Sequence, residues 1–185
     1  MFIRTERLLL RPAWPEDARE LLDLLAEEYA ADALPPEQVH KFREEISAFV
    51  SLPDEPRYPH FLIMLRDGGS TRPIGSASLS RGDGETELGY WIARQHHGQG
   101  FVEEVIRAIL DFARPLGHRR IAAWRFNQSE ATGRILEKCG FAPTGRRQER
   151  YDVRVNLDVP ADIYAIDLAE QVIERPADQS ASLAG

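Results

Sequence analysis

The chain has 185 residues, with 23 Lys and Arg against 30 Asp and Glu, for a formal net charge of −7. That length suits one domain with a sizeable core, and 43% hydrophobic with 29% charged residues excludes a disordered chain or a fibre. The acidic balance argues against a nucleic-acid partner, whose phosphates need a basic field, and favours an amine-bearing one.

Phe2–Leu10 reads as a first strand. Pro15, with Glu16 and Asp17, opens a helix whose Ala18, Leu21, Leu22 and Leu25 recur at helical spacing. Pro35-Pro36 starts a second helix through Val39, Phe42, Ile46 and Val50. Three strands, His60–Arg66, Pro73–Ser80 and Glu85–Ala93, follow as an antiparallel meander, separated by glycine-rich turns. Gln99–Leu116 carries Val102, Val105, Ile106, Ile109, Leu110 and Ala113 on one helical face and stops near Pro115 and Gly117. Arg120–Phe126 is a strand. Asn127 with Glu130 then forms a capping box for a helix that ends at Gly140. Phe141–Val155 and Ile163–Leu168 are extended, and the Pro-, Ala- and Ser-rich residues 173–185 read as a flexible tail. The strand–helix–strand unit between Glu85 and Arg125 predicts one parallel crossover in an otherwise antiparallel sheet.

Cys139 is the single cysteine, so no internal disulfide forms and a reducing compartment is expected. Charged Arg4, Glu6, Arg7 and Arg11 interrupt the N-terminus, leaving no apolar run of about 7–15 residues for a signal peptide. Phe61–Leu65 is far short of the roughly 20 residues of a membrane helix. The expected location is the cytoplasm, with no membrane partner.

The chemistry concentrates at Glu87–Phe101, where a strand enters a loop holding Gly98 and Gly100, and the loop enters a long helix. Two glycines let successive backbone N–H groups converge on an anion, and the helix N-terminus adds about half a positive charge. The same glycines also suit a plain strand-to-helix turn. A P-loop would need Lys and Ser or Thr where Phe101 and Val102 stand. A dinucleotide fingerprint would need a small residue at Glu103.

The runs 87–92 (ELGYWI), 96–104 (HHGQGFVEE) and 136–141 (LEKCGF), with 5–12 (TERLLLRP), resemble the GNAT superfamily of acyl-CoA-dependent N-acetyltransferases, in its RimJ/RimL-type branch. The resemblance spans about residues 2–170. It implies a mixed α/β (α+β) fold: a mostly antiparallel sheet, helices on both faces, and a strand pair splayed at an acyl-CoA site, all in one domain over residues 1–172. It implies acetyl-CoA as co-substrate, no metal, and an acceptor amine on a small molecule or a protein N-terminus. By the same likeness, His97, Gly98, Gln99, Gly100, Phe101 and Val102 form the pyrophosphate loop. Trp91, Ile92 and Ala93 line the pantetheine arm and supply the amide that polarises the thioester carbonyl. The family's Asn-x-x-Ser falls on Ser129 and Thr132, with Asn127 nearby, and its frequent tyrosine acid falls on Leu136.

Acetyl transfer to an amine needs a neutral amine, a stabilised oxyanion and a protonated leaving thiol. Glu87 is the first candidate base, sharing a strand face with Glu85, Gly89 and Trp91; both glutamates also suit a solvated strand. His60, His96 and His97 are alternative bases, and the His96-His97 pair lacks the further ligands of a metal site. Thr132 can protonate the thiolate or hydrogen-bond the sulfur, and Tyr90 and Tyr164 are further acids. Cys139 suits a small buried residue, so direct transfer in a ternary complex is preferred to an acyl-enzyme. A non-catalytic acyl-CoA-binding module and an unrelated nucleotide-binding domain remain as other readings. Edge strands and the 148–157 hairpin suggest a possible homodimer.

Overall fold

A computed structural model of the chain describes residues 1–29, 36–82, 84–126, 130–152 and 157–169. Its strands are β1 (Ile3–Arg4), β2 (Leu8–Arg11), β3 (His60–Asp67), β4 (Ser70–Arg81), β5 (Thr86–Ile92), β6 (Arg120–Phe126), β7 (Ala142–Asp152) and β8 (Leu157–Asp167). The helices are α1 (Ala18–Tyr29), α2 (Pro36–Val50), α3 (Phe101–Ala113) and α4 (Glu130–Lys138), with single 3-10 turns at Pro15–Asp17 and Arg94–His96. The strands form one sheet in the order β1-β2-β3-β4-β5-β6-β8-β7. Neighbours run antiparallel except β5 and β6, which are parallel and joined through α3.

Both sheet faces are covered. Val105, Ile106, Ile109, Leu110 and Ala113 of α3 pack with Leu136 of α4 onto Leu8, Leu10, Ile63, Leu79, Leu88 and Ile121. On the other face Leu21 of α1 meets Ile46 and Val50 of α2 over Leu62 and Met64. Period-two alternation sends neighbouring residues of β3, such as Leu62 and Ile63, to opposite cores.

Three boundaries differ from the sequence reading. The expected Phe2–Leu10 strand is a hairpin, because Thr5 folds the chain back: Leu8 N donates to Thr5 Oγ1 at 2.9 Å and Thr5 N to Leu8 O at 3.0 Å. The helix expected over Gln99–Leu116 begins only at Phe101, and after Ala113 it passes into a turn closed by Gly117 N on Arg114 O at 3.0 Å. β8 begins at Leu157, well before Ile163, since its early residues pair with β7 down to Asp152↔Leu157. The Asn127 cap and the tail at 173–185 lie outside the described residues.

The turn into α1 is held by a buried ion pair. Arg11 Nη1 and Nη2 donate to Asp17 Oδ2 and Oδ1, both at 2.7 Å, with side chains 10% and 9% exposed. Trp14 N donates to Asp17 Oδ2 at 2.7 Å, and the Arg11 guanidinium lies 4.1 Å from the Trp14 ring centre. Burial alone would push the Asp17 carboxyl up, but the Arg11 hydrogen bonds, the Trp14 amide and the Arg11 charge together hold it below its usual value. This contribution to stability is complete above the unfolded value of about 4 and disappears as pH falls through the lower folded value. Asp17→Ala leaves Arg11 buried without its partner and should cost about 3–5 kcal/mol. The midpoint of denaturant unfolding near neutral pH measures this loss.

Candidate active site

Strand pairing opens the site. β5 and β6 pair only over Thr86↔Ile121, Glu87↔Ala122 and Leu88↔Ala123. β5 then runs on to Ile92 and β6 to Phe126 without further rungs between them, so the parallel strands fork. Gly82 N donates to Glu85 O and Ala93 N to Ile74 O, each at 2.9 Å. That phase sets odd-numbered β5 residues to bond β4 and turns the backbones of Thr86, Leu88, Tyr90 and Ile92 toward β6. Beyond Leu88, the Tyr90 and Ile92 N–H groups therefore face the fork. Of Trp91, Ile92 and Ala93, only Ile92 presents its amide there. Its carbonyl is held by His97, whose Nε2 donates at 2.7 Å.

The fork leads into the glycine loop. Gly98 and Gly100 have φ of 72° and 80°, the left-handed region that an L side chain enters only at a cost. Gly100 is the N-cap of α3, with no side chain over the helix end. The α3 ladder begins with Glu104 N on Gly100 O at 3.1 Å, so the preceding first-turn N–H groups have no acceptor within the helix. Phe101 is buried and anchors the turn, Val102 is half-buried behind it, and Gln99 is exposed.

A brace that the sequence reading missed holds this loop. Arg7 Nη1 donates to Gln99 O at 2.8 Å, and Arg7 N and Nε donate to Glu104 at 2.9 and 2.7 Å. Thr5 Oγ1 donates to the same carboxylate at 2.5 Å, and the Arg7 guanidinium lies 4.4 Å from the Phe101 ring centre. Burial acts to raise the Glu104 carboxyl, but Thr5 and Arg7 more than offset it and hold it below its ordinary value. Hydrogen bonding from Arg107, with Lys138 nearby, lowers Glu103 likewise. Both first-turn acids thus carry cationic partners, which limits their opposition to an anion at the helix end. Arg7→Ala should weaken binding of the acyl-CoA co-substrate that the sequence resemblance implies by about tenfold, equivalent to about 1.4 kcal/mol. Calorimetric titration with free CoA would measure it.

On the α1–α2 side of the sheet, the register sets Glu87 beside Ser80 and Ala122, and Trp91 beside Ser76. Arg150 of β7 donates from Nη2 to Glu87 Oε1 at 2.6 Å, and its guanidinium lies 3.6 Å from the Trp124 ring centre. Glu87 is therefore fixed in place at the fork, with Oε2 as its other oxygen. Thr132 lies half-buried in the first turn of α4, while Asn127 and Ser129 fall outside the described residues.

The remaining titratable groups take other parts. His96 is buried against the Phe101 edge, and burial, then the Arg72 and His97 charges, push it down. Burial also lowers His60 against the smaller opposing effect of Glu55. Burial raises the Cys139 thiol, a poor setting for a nucleophile. Tyr90 Oη is buried without a hydrogen-bond partner, and burial, then Cys139, drive its pKa upward. No cluster of His, Cys, Asp and Glu able to hold a metal occurs among the described residues.

A forked parallel pair continuing into a glycine loop at a helix N-terminus is the arrangement expected of an acyl-CoA-dependent transferase. Residues 7–142 match the acetyltransferase (GNAT) domain, and the chain belongs to that family. It is 29% identical over 170 residues to the uncharacterized N-acetyltransferase YoaA of Bacillus subtilis, covering 89% of this chain and 95% of that one. Its fold is shared with the ribosomal alpha-N-protein acetyltransferase RimL solved with coenzyme A. For RimL the TM-score is 0.69 at 16% identity, covering 90% of this chain and 98% of that one. A spermidine N-acetyltransferase chimera from Vibrio cholerae gives a TM-score of 0.63 at 20% identity, covering 89% and 98%.

Proposed function

We propose that the chain moves an acetyl group from acetyl-CoA to a primary amine, on a protein N-terminus or a small molecule, by direct transfer in a ternary complex. The observation that carries this reading is the fork itself. The Tyr90 and Ile92 backbones face an opening that leads to the Gly98–Gly100 amides and the α3 N-terminus, and Glu87 stands on the adjoining sheet face. The residues fit the co-substrate: left-handed glycines bring the loop backbone close to an anion, and the Tyr90 and Ile92 N–H groups along the fork suit the amide groups of a pantetheine arm.

Bound there, acetyl-CoA supplies the activated thioester. His97, Gly98, Gln99, Gly100, Phe101 and Val102 hold the pyrophosphate, and Trp91, Ile92 and Ala93 border the arm. The Ile92 N–H stabilises the carbonyl oxygen as it gains charge. Glu87 takes the proton of the amine through Oε2, while Arg150 fixes its orientation. Thr132 meets the sulfur, and the family likeness assigns Asn127 and Ser129 to co-substrate binding. The work is done by one domain over residues 1–172 in the cytoplasm.

RimL and the spermidine enzyme frame two acceptor types, a protein α-amine and a polyamine. Arg150 puts a cation beside Glu87 and so disfavours a polycation, which supports the α-amine. The Arg150 hold on Glu87 also supports a second reading, an acyl-CoA-binding module without transfer. Free-thiol release from acetyl-CoA, with peptides bearing N-terminal Ala or Ser and with spermidine, separates the two. Acceptor-dependent release is expected; CoA binding with no release for any amine would favour the module.

A further inference from the structure

Gly82 and Gly84 both lie in the β4–β5 turn, but for different reasons. Gly84 has φ of 79°, the left-handed conformation that favours glycine. Gly82 is outside that region, and its N–H closes the turn on Glu85 O at 2.9 Å, so its backbone suits an ordinary residue. What matters at Gly82 is the missing side chain. A methyl group there would stand 2.6 Å from Glu87 Cγ and 2.7 Å from Cδ, and closer still to Oε1, far inside the roughly 3.5–4.0 Å of a carbon–carbon contact.

The register explains this closeness. Glu87 pairs with Ser80, and Gly82 follows two residues later, so Gly82 and Glu87 are diagonal neighbours on one sheet face. Arg150 reaches the same carboxyl, with Nη2 2.6 Å from Oε1, while stacked on Trp124, the residue after the last β5–β6 rung at Ala123. A bare stretch of main chain and one guanidinium thus fix the carboxyl together. Glu85, on the same face, is bound twice, by Arg120 at 3.0 Å and Arg146 at 3.1 Å. Among the described residues Glu87 has the single ion pair with Arg150, so its place depends more on the room that Gly82 leaves.

We propose that Gly82 is a positioning residue for acetyl transfer: its lack of a side chain lets the Glu87 carboxyl lie against the β4–β5 turn, in the grip of Arg150, with Oε2 left for the acceptor amine. The inference rests on the reading of Glu87 as the base. Alanine at this position is mild for the fold, because the Glu87 side chain can rotate away from the new methyl group. It is severe for the chemistry, because the rotation breaks the Arg150 contact and moves the base. A displacement of about 1 Å at a reacting group lowers the rate on the order of 100-fold.

The test compares Gly82→Ala, Glu87→Gln and the double variant of the full chain by free-thiol release from acetyl-CoA, with an N-terminal-Ala peptide and spermidine as acceptors. Gly82→Ala should lower kcat about 100-fold, leave calorimetric affinity for free CoA unchanged, and add no further loss to Glu87→Gln. In nitrogen-15 spectra the Arg150 Nε–H signal, assigned by its absence from Arg150→Ala, should move in Gly82→Ala as it does in Glu87→Ala. Unchanged kcat in Gly82→Ala overturns the proposal, as do losses that multiply in the double variant or an Arg150 signal that stays in place. Full kcat in Glu87→Gln removes Glu87 as the base and the proposal with it. An unsubstituted protein that releases no thiol with either acceptor overturns the acetyltransferase reading itself.

Discussion

Glu87→Gln should lower kcat by about 10²- to 10⁴-fold, the range for removing a general base, while leaving the KM for acetyl-CoA unchanged. Glutamine keeps the shape of the side chain and an oxygen for Arg150 Nη2, so the 2.6 Å contact and the Arg150 stack on Trp124 persist. What is lost is the capacity to accept a proton at Oε2. If Glu87 serves only as the counter-ion of Arg150, the result differs: kcat changes little and the loss appears as a lower unfolding midpoint. Arg150→Ala gives the complementary reading, since it releases the carboxylate from its fixed orientation without removing it.

The second large effect belongs to the loop. Replacing Gly98 and Gly100 together by alanine should weaken CoA binding by about 30- to 700-fold. At φ of 72° and 80° each alanine meets about 1–2 kcal/mol of left-handed strain, and about 1.4 kcal/mol is tenfold in affinity. Space is not the obstacle: a Cβ at Gly98 meets nothing within 4 Å, and one at Gly100 meets only Arg7 Nη2 at 3.5 Å. The chain relieves the strain by turning its amides, and the anion site is lost with that rotation. Calorimetry with free CoA measures the effect, and kcat at saturating acetyl-CoA should largely survive. The two substitutions thus separate along the reaction, the carboxylate in kcat and the loop in affinity.

These expectations draw on features that differ in how far sequence reveals them. The glycine loop was legible because its signal is local: two glycines in register between a strand and an apolar helical face. The parallel β5–β6 pair was legible for a similar reason, since a strand, a long helix and another strand leave few other topologies. The break at Thr5 was only half legible: the polar residues Arg4, Thr5, Glu6 and Arg7 interrupt the apolar run there, but the Thr5 hydroxyl that replaces a ladder bond leaves no pattern of its own. The partners that hold the site in place were hidden by separation along the chain. Arg7 meets Glu104 and Arg150 meets Glu87 across 97 and 63 residues, and each contact depends on a strand register that one residue of slip would undo. Even the amide at the fork is a matter of register. Trp91, Ile92 and Ala93 look equivalent in sequence, but the Ala93 bond to Ile74 decides which of them faces β6.

The central claim is that the β5–β6 fork and the Gly98–Gly100 loop form one acyl-CoA site. Backbone amide chemical shifts of the isotope-labelled chain, recorded while free CoA is titrated in, test it most directly. Saturable shifts are expected at Tyr90, Ile92, residues 98–102 and Thr132. Shifts confined to other surfaces, such as the β3–β4 turn, or no shifts at saturating CoA, would contradict it.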